Sequence, residues 1–70
     1  MKYAVVIEQG SNSLGAYVPD LPGCVAVAES RAELIQLIQE AIELHIQDLQ
    51  AQGQSVPPPS SSVEIIDVAA

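Results

Sequence analysis

From Tyr3 to Glu8 the chain is almost continuously apolar and rich in Val and Ile. That run predicts a β-strand, buried on both faces or set in a subunit contact. Gln9-Gly10-Ser11-Asn12-Ser13 has the composition of a hairpin loop. Leu14 to Val18 reads as a second strand and Cys24 to Ala28 as a third. In the third, Val25 and Val27 fall on one face and Cys24, Ala26 and Ala28 on the other. At Ser30 the period changes. Ser30 and Glu33 form a capping box, in which the Ser30 hydroxyl accepts from the Glu33 N–H and the Glu33 carboxylate reaches back to the Ser30 N–H. No Gly or Pro follows until Gly53, which stands where a left-handed helix cap belongs. At helical spacing Leu34, Ile35, Ile38, Ala41, Ile42, His45, Ile46 and Leu49 share one arc, and Leu37 and Leu44 widen it to roughly 200°. Gln36, Glu40, Glu43, Gln47 and Gln50 take the opposite face.

Val56-Pro57-Pro58-Pro59 is a short rigid spacer, and Ser60-Ser61-Ser62 a polar hinge. Val63 to Val68 predicts a fourth strand, with Glu64 and Asp67 at exposed positions. The order is β-β-β-α-β: one small α+β domain over residues 1–70. Two hairpins give an antiparallel meander. A right-handed crossover then places the last strand parallel to the first, for a sheet order 3-2-1-4 with the helix on one face. The other face is left bare, which argues for an oligomer. The surplus at Leu37 and Leu44 is accounted for by a subunit interface, or equally by the C-terminal loop folding over it.

Val18-Pro19-Asp20-Leu21-Pro22-Gly23-Cys24 joins the second and third strands by a tight turn. Both prolines fix φ near −65° and lack an N–H, so neither fits a paired ladder. Asp20 is suited to bond the backbone two residues on, and Gly23 supplies conformational freedom at the re-entry.

Nine acidic against two basic residues give a net charge of −7. Such a surface repels phosphate backbones, so direct nucleic-acid binding is not expected of this chain. It favours a basic partner, although acidity also serves solubility alone. Cys24 is the single cysteine, so no internal disulfide forms, and with His45 as the single histidine no structural zinc set exists. Oligomerisation, as a dimer or tetramer, remains the simplest way to reinforce so short a chain. No stretch reaches the ~18–20 apolar residues of a membrane helix. The N-terminus lacks the pattern of a signal peptide. A lone cysteine fits a reducing compartment. A cytoplasmic location is expected.

The predicted topology is also the front part of a ribonuclease-H-like fold. Its nucleases hold metals on strand and helix carboxylates, roles for which Glu8, Glu40 or Glu43, and Asp67 are available. Glu40 and Glu43 lie opposite the apolar arc, however, and a two-metal site needs convergence to about 4 Å. No triad spacing and no glycine-rich phosphate loop is present. Cys24 has no neighbouring cation, so an inert thiol is expected. His45 reads as a hydrogen-bonded core residue or a pH-sensitive interface residue. No catalytic, metal or cofactor residue is assigned.

Tyr17-Val18-Pro19-Asp20-Leu21-Pro22-Gly23-Cys24, the helical Ala41-Ile42-Glu43-Leu44-His45, and Gly53 followed by Val56-Pro57-Pro58-Pro59-Ser60 together resemble the HicB family of antitoxins. The resemblance covers essentially the whole chain. It implies a truncated ribonuclease-H-like fold and a non-enzymatic role. The implied partner is HicA, a small basic toxin that cleaves messenger RNA, bound and neutralised by protein–protein contact. Ala28-Glu29-Ser30 departs from the Gly-Asp-Thr entry that many members have. Many members also carry a C-terminal DNA-binding domain, which these 70 residues do not include, so direct operator binding is not expected of them. The alternatives are an orphan oligomeric module without a toxin, and a remnant metal-dependent nuclease. The expected partner contacts are the turn residues Asp20, Leu21, Pro22 and Gly23 with the acids Glu40, Glu43 and Asp48. Leu37 and Leu44 are the expected oligomer contacts.

Overall fold

The computed structural model describes residues 1–70 and contains three strands followed by one helix: β1 Val6–Gln9, β2 Leu14–Tyr17, β3 Val25–Ala28 and α1 Arg31–Ala51. The strands form one antiparallel sheet in the order β1-β2-β3. Pairing runs Val6 to Tyr17 and Gln9 to Leu14 in the first hairpin, and Leu14 to Ala28 and Tyr17 to Val25 in the second.

Each strand is shorter than its apolar run. The residue that would oppose Val5 is Val18, whose N–H points to the β3 side and donates to the Cys24 carbonyl at 3.2 Å, so the next donor toward β1 would have to come from residue 19. Pro19 beyond it has no N–H to offer. Tyr3, Ala4 and Val5 are therefore left unpaired beside the helix. The expected fourth strand is absent from the chain as it stands. Val63–Val68 makes no ladder, and every residue from Ser60 to Ala70 is exposed. The sheet order is accordingly 1-2-3, the 3-2-1 part of the expected 3-2-1-4 without its fourth strand.

Register divides the sheet into two faces. Ile7, Ala16 and Ala26 line up on one, with Leu14 and Ala28 beside them. These small residues let α1 approach closely, and the buried helix residues Leu34 and Ile38 complete the core with Ala16, Ala28, Val18, Leu21 and Cys24. The helix packs on β3 and β2 and leaves β1 as an edge. The opposite face presents Tyr17, Val25 and Val27 to solvent, the last two about 65% exposed (63% and 65%).

The ends of α1 follow the sequence closely. The Ser30 hydroxyl accepts from the Glu33 N–H at 3.2 Å. The Glu33 carboxylate reaches the Glu29 N–H at 3.4 Å, one residue earlier than the expected Ser30. At the other end Gly53 has φ 71°, Gly53 N–H donates to the Gln50 carbonyl and Gln54 N–H to the Leu49 carbonyl. Those two bonds make a Schellman cap. Ser30→Ala should lower stability by about 1 kcal/mol, read as a shift in the urea midpoint, while Ser30→Asp should leave it nearly unchanged.

Candidate functional site

The Val18–Cys24 segment is built as two successive turns that share Leu21. Leu21 N–H donates to the Val18 carbonyl and Cys24 N–H to the Leu21 carbonyl, both at 3.1 Å. Pro19 and Pro22 each occupy the second position of a turn, where their fixed φ is needed. Gly23, at φ 86°, takes the third position of the second turn, which makes it type II. This arrangement drives the Leu21 side chain into the core, where it is 0% exposed. Pro22 and Gly23 remain at the surface. Of the turn residues expected to meet a partner, Leu21 is thus spent on packing, and its side chain offers no contact to another protein.

Asp20 is also engaged, in a way the sequence reading did not foresee. Its carboxylate bonds no backbone group of its own turn. It holds the distant Ser60-Ser61 segment with both oxygens. Oδ2 accepts from the Ser60 and Ser61 N–H groups at 2.9 Å each. Oδ1 accepts from the two hydroxyls at 3.1 and 2.8 Å. Four donors stabilise the ionised form and hold its pKa down to about 2 from an ordinary 3.8, the Ser61 N–H having the largest effect. The serine run is therefore an anchor rather than a hinge. The Tyr3 hydroxyl adds a second tie by donating to the Pro57 carbonyl. The signal lay in the pairing of an acceptor on a rigid turn with consecutive hydroxyl residues after a rigid spacer, but nothing in sequence marks their proximity across 40 residues.

Glu40, Glu43 and Asp48 are all exposed along α1. Leu37 and Leu44 are exposed as well, at 38% and 65%, so the C-terminal segment does not cover them. A groove of about 530 Å³ opens between the N-terminal residues and the helix, lined by Tyr3, Val5, Ile35, Ile42 and Ile46, with Lys2 and Glu43 at its margin. A second, smaller groove beside β1 is lined by Val5, Val6, Ile7, Arg31, Val63 and Ile65.

The carboxylates available to a nuclease do not converge: Glu8 lies at the end of β1, Glu40 and Glu43 on the solvent side of α1, and Asp67 in the exposed tail. No group of three or more His, Cys, Asp or Glu side chains stands close enough to hold a metal. Cys24 is buried and unpaired, and burial pushes its thiol pKa up. His45 is half-buried and makes no side-chain hydrogen bond, contrary to the bonded core histidine expected. No helix is long and apolar enough to cross a membrane.

The chain is thus a small antiparallel sheet with one face covered by a helix that carries exposed acids. The chain belongs to the HicB-like antitoxin family of bacterial toxin–antitoxin systems, whose family model matches residues 3–69. It is 48% identical over 46 residues to a UPF0150 protein of Helicobacter pylori, covering 66% of this chain and 64% of that one, under two-thirds of its length. A UPF0150 protein of Archaeoglobus fulgidus is 46% identical over 50 residues, 67% of this chain and 70% of that one. Among solved structures, a chain of a HicA3 and HicB3 toxin–antitoxin complex superposes with TM-score 0.73 at 28% identity, over 84% of this chain and 70% of that chain.

Proposed function

We propose that this protein is an antitoxin that binds and neutralises a small basic, messenger-RNA-cleaving toxin of HicA type by protein–protein contact. The observation that carries this reading is the likeness to a chain of a toxin–antitoxin complex over 84% of the sequence. The net charge of −7 supports it, because opposite potentials steer association with a basic protein. In this reading the chain acts in the cytoplasm, as a homo-oligomer, without catalysis and without touching nucleic acid itself. Its toxin-facing surface is the solvent side of α1 with Glu40, Glu43 and Asp48, together with Pro22 and Gly23 of the turn. The test is messenger-RNA cleavage by a HicA-type toxin titrated with the chain. Cleavage should stop near stoichiometric addition, and a toxin fully active at saturation would defeat the reading.

The acids carry their own prediction. Glu40→Lys, Glu43→Lys and Asp48→Lys combined should slow association about tenfold at low salt, with the difference closing as salt is raised. Stopped-flow mixing reads this, and an unchanged rate at low salt would remove these residues from the surface.

A further inference from the structure

The last residues pose a problem that one copy of the chain does not solve. Val63, Ile65, Ile66 and Val68 are 59%, 87%, 73% and 72% exposed. No backbone–backbone hydrogen bond reaches beyond Gln54. The composition is nevertheless that of a strand, β-branched and broken only by Glu64 and Asp67, one on each face. Just before this tail the chain is tied down, because Asp20 grips Ser60 and Ser61. The tail is thus an arm of fixed origin. Val63 and Ile65 pass beside β1, yet their exposure shows how little that edge covers them. Ile66 and Val68 line neither groove and are mostly exposed. The outline agrees: the molecule is 48 Å long, against about 32 Å for a 21-residue helix. Its radius of gyration is 13.7 Å, where about 11 Å is usual for a compact chain of this length.

The same chain carries an edge that lacks a neighbour. β1 pairs only with β2, and Tyr3, Ala4 and Val5 pair with nothing. An open edge of this kind is a template for an added strand. The charges match as well. The chain has two basic residues, Lys2 and Arg31, and they line the two grooves that border the β1 side of the sheet. The tail brings two acids, and the other seven are spread over a surface that would repel it. The lengths are compatible: six residues of strand span about 20 Å, and Tyr3–Gln9 spans about 23 Å.

We propose that Val63–Val68 is an exchanged strand, laid along the open β1 edge of a second copy whose own tail returns the contact. Each copy holds one arm and one vacant β1 edge, so two copies satisfy both and the exchange closes on itself, with β3 remaining the outer edge of each sheet. The sheet then gains the fourth strand beside β1 that the sequence pattern calls for, supplied by the partner. This inference concerns self-association and does not rest on the antitoxin reading.

The test mixes isotope-labelled and unlabelled full-length chain and looks for contacts between the methyl groups of Val63 and Ile65 and those of Val6 and Ile7. Contacts between copies are expected. Contacts found only within a copy would overturn the proposal. Size-exclusion chromatography with light scattering gives the second readout. The full chain should run as at least twice its 7.4 kDa mass. A chain ending at Ser62, and a full chain with Ile65→Glu and Ile66→Glu, should each lose at least half of that assembled mass. Circular dichroism should show α1 intact in both, since residues 63–70 make no hydrogen bond to the body. A monomeric full chain, or variants that keep the full assembly mass, would equally overturn it.

Discussion

Leu21→Ala should lower the stability of the folded chain by about 2–5 kcal/mol. A 70-residue domain holds only about 3.5–10 kcal/mol in all. The variant should therefore be partly unfolded at 37 °C. In a urea titration followed by helix circular dichroism, its midpoint should fall by about 2 M or more, given a slope near 1 kcal/mol per M for a protein this small. The size of the effect follows from an unusual placement. Leu21 is 0% exposed although it sits in a surface turn between two prolines. Its backbone bonds to Val18 and Cys24 do not depend on the side chain, so the substitution removes apolar packing and little else. The hole it leaves lies within the core cluster that includes Leu34, the other fully buried side chain, and beside a turn that two prolines hold rigid. Neither can collapse far, and the cost of a cavity grows with the volume that stays empty. Pro22→Ala at the exposed neighbouring position is the control and should move the midpoint far less. A Leu21→Ala midpoint equal to the parent's would mean that the turn is decoration on a core complete without it.

The legible parts of this fold are those decided within a few residues. The capping box at Ser30, the Schellman glycine at Gly53, the type II turn at Pro22-Gly23 and the alternation of Val25 and Val27 against Cys24 and Ala28 depend on neighbours one to four positions away. The structure places the Ser30 cap, the left-handed Gly53, the tight turn and the strand alternation where the sequence predicts them, and moves only the Glu33 carboxylate, which reaches Glu29 in place of Ser30. What local pattern could not decide was pairing over distance. Val63–Val68 has strand composition, but a strand exists only where an edge receives it, and the chain's own edge does not. Asp20 shows the same limit from the polar side. An aspartate in a proline turn has a local partner on offer, and the alternation of donors in Ser60-Ser61 competes with it only once the fold has brought them together. Of the residues expected to face a partner, the helix acids are exposed, whereas Leu21 is buried in the core and Asp20 is bonded to Ser60 and Ser61.

The Asp20 clamp should release in acid, and Asp20→Asn should release it at every pH. The carboxyl is held at about 2 in the folded chain against an ordinary 3.8. A depressed acid pKa adds stability that is fully present above the unfolded value and disappears as pH falls through the folded one. The window is therefore about pH 4 down to about pH 2, with no change expected between pH 5 and 8 from this group. The Ser60 and Ser61 amide proton shifts report the carboxylate directly and should titrate together with a midpoint near 2. A midpoint near 3.8 would show that the four bonds do not persist in solution. Asparagine presents one carbonyl oxygen and an NH₂ group, so it can accept no more than half of the donors and opposes the rest. In that variant the two amide signals should sit at their acid-released positions even at pH 7. Cleavage of the Gln54–Ser62 segment by a broad-specificity protease should rise several-fold at that pH, because Tyr3 to Pro57 would be its only remaining side-chain tie. The helix signal should hardly change, since Asp20 makes no contact with α1 through a hydrogen bond. The consequence reaches the assembly. An arm whose origin is fixed at Ser60 and Ser61 loses little freedom on finding a partner edge, whereas an arm tied only at Pro57 must be ordered over more residues first. Asp20→Asn should thus weaken strand exchange at neutral pH, and the parent chain should weaken in the same way only as pH falls toward 2.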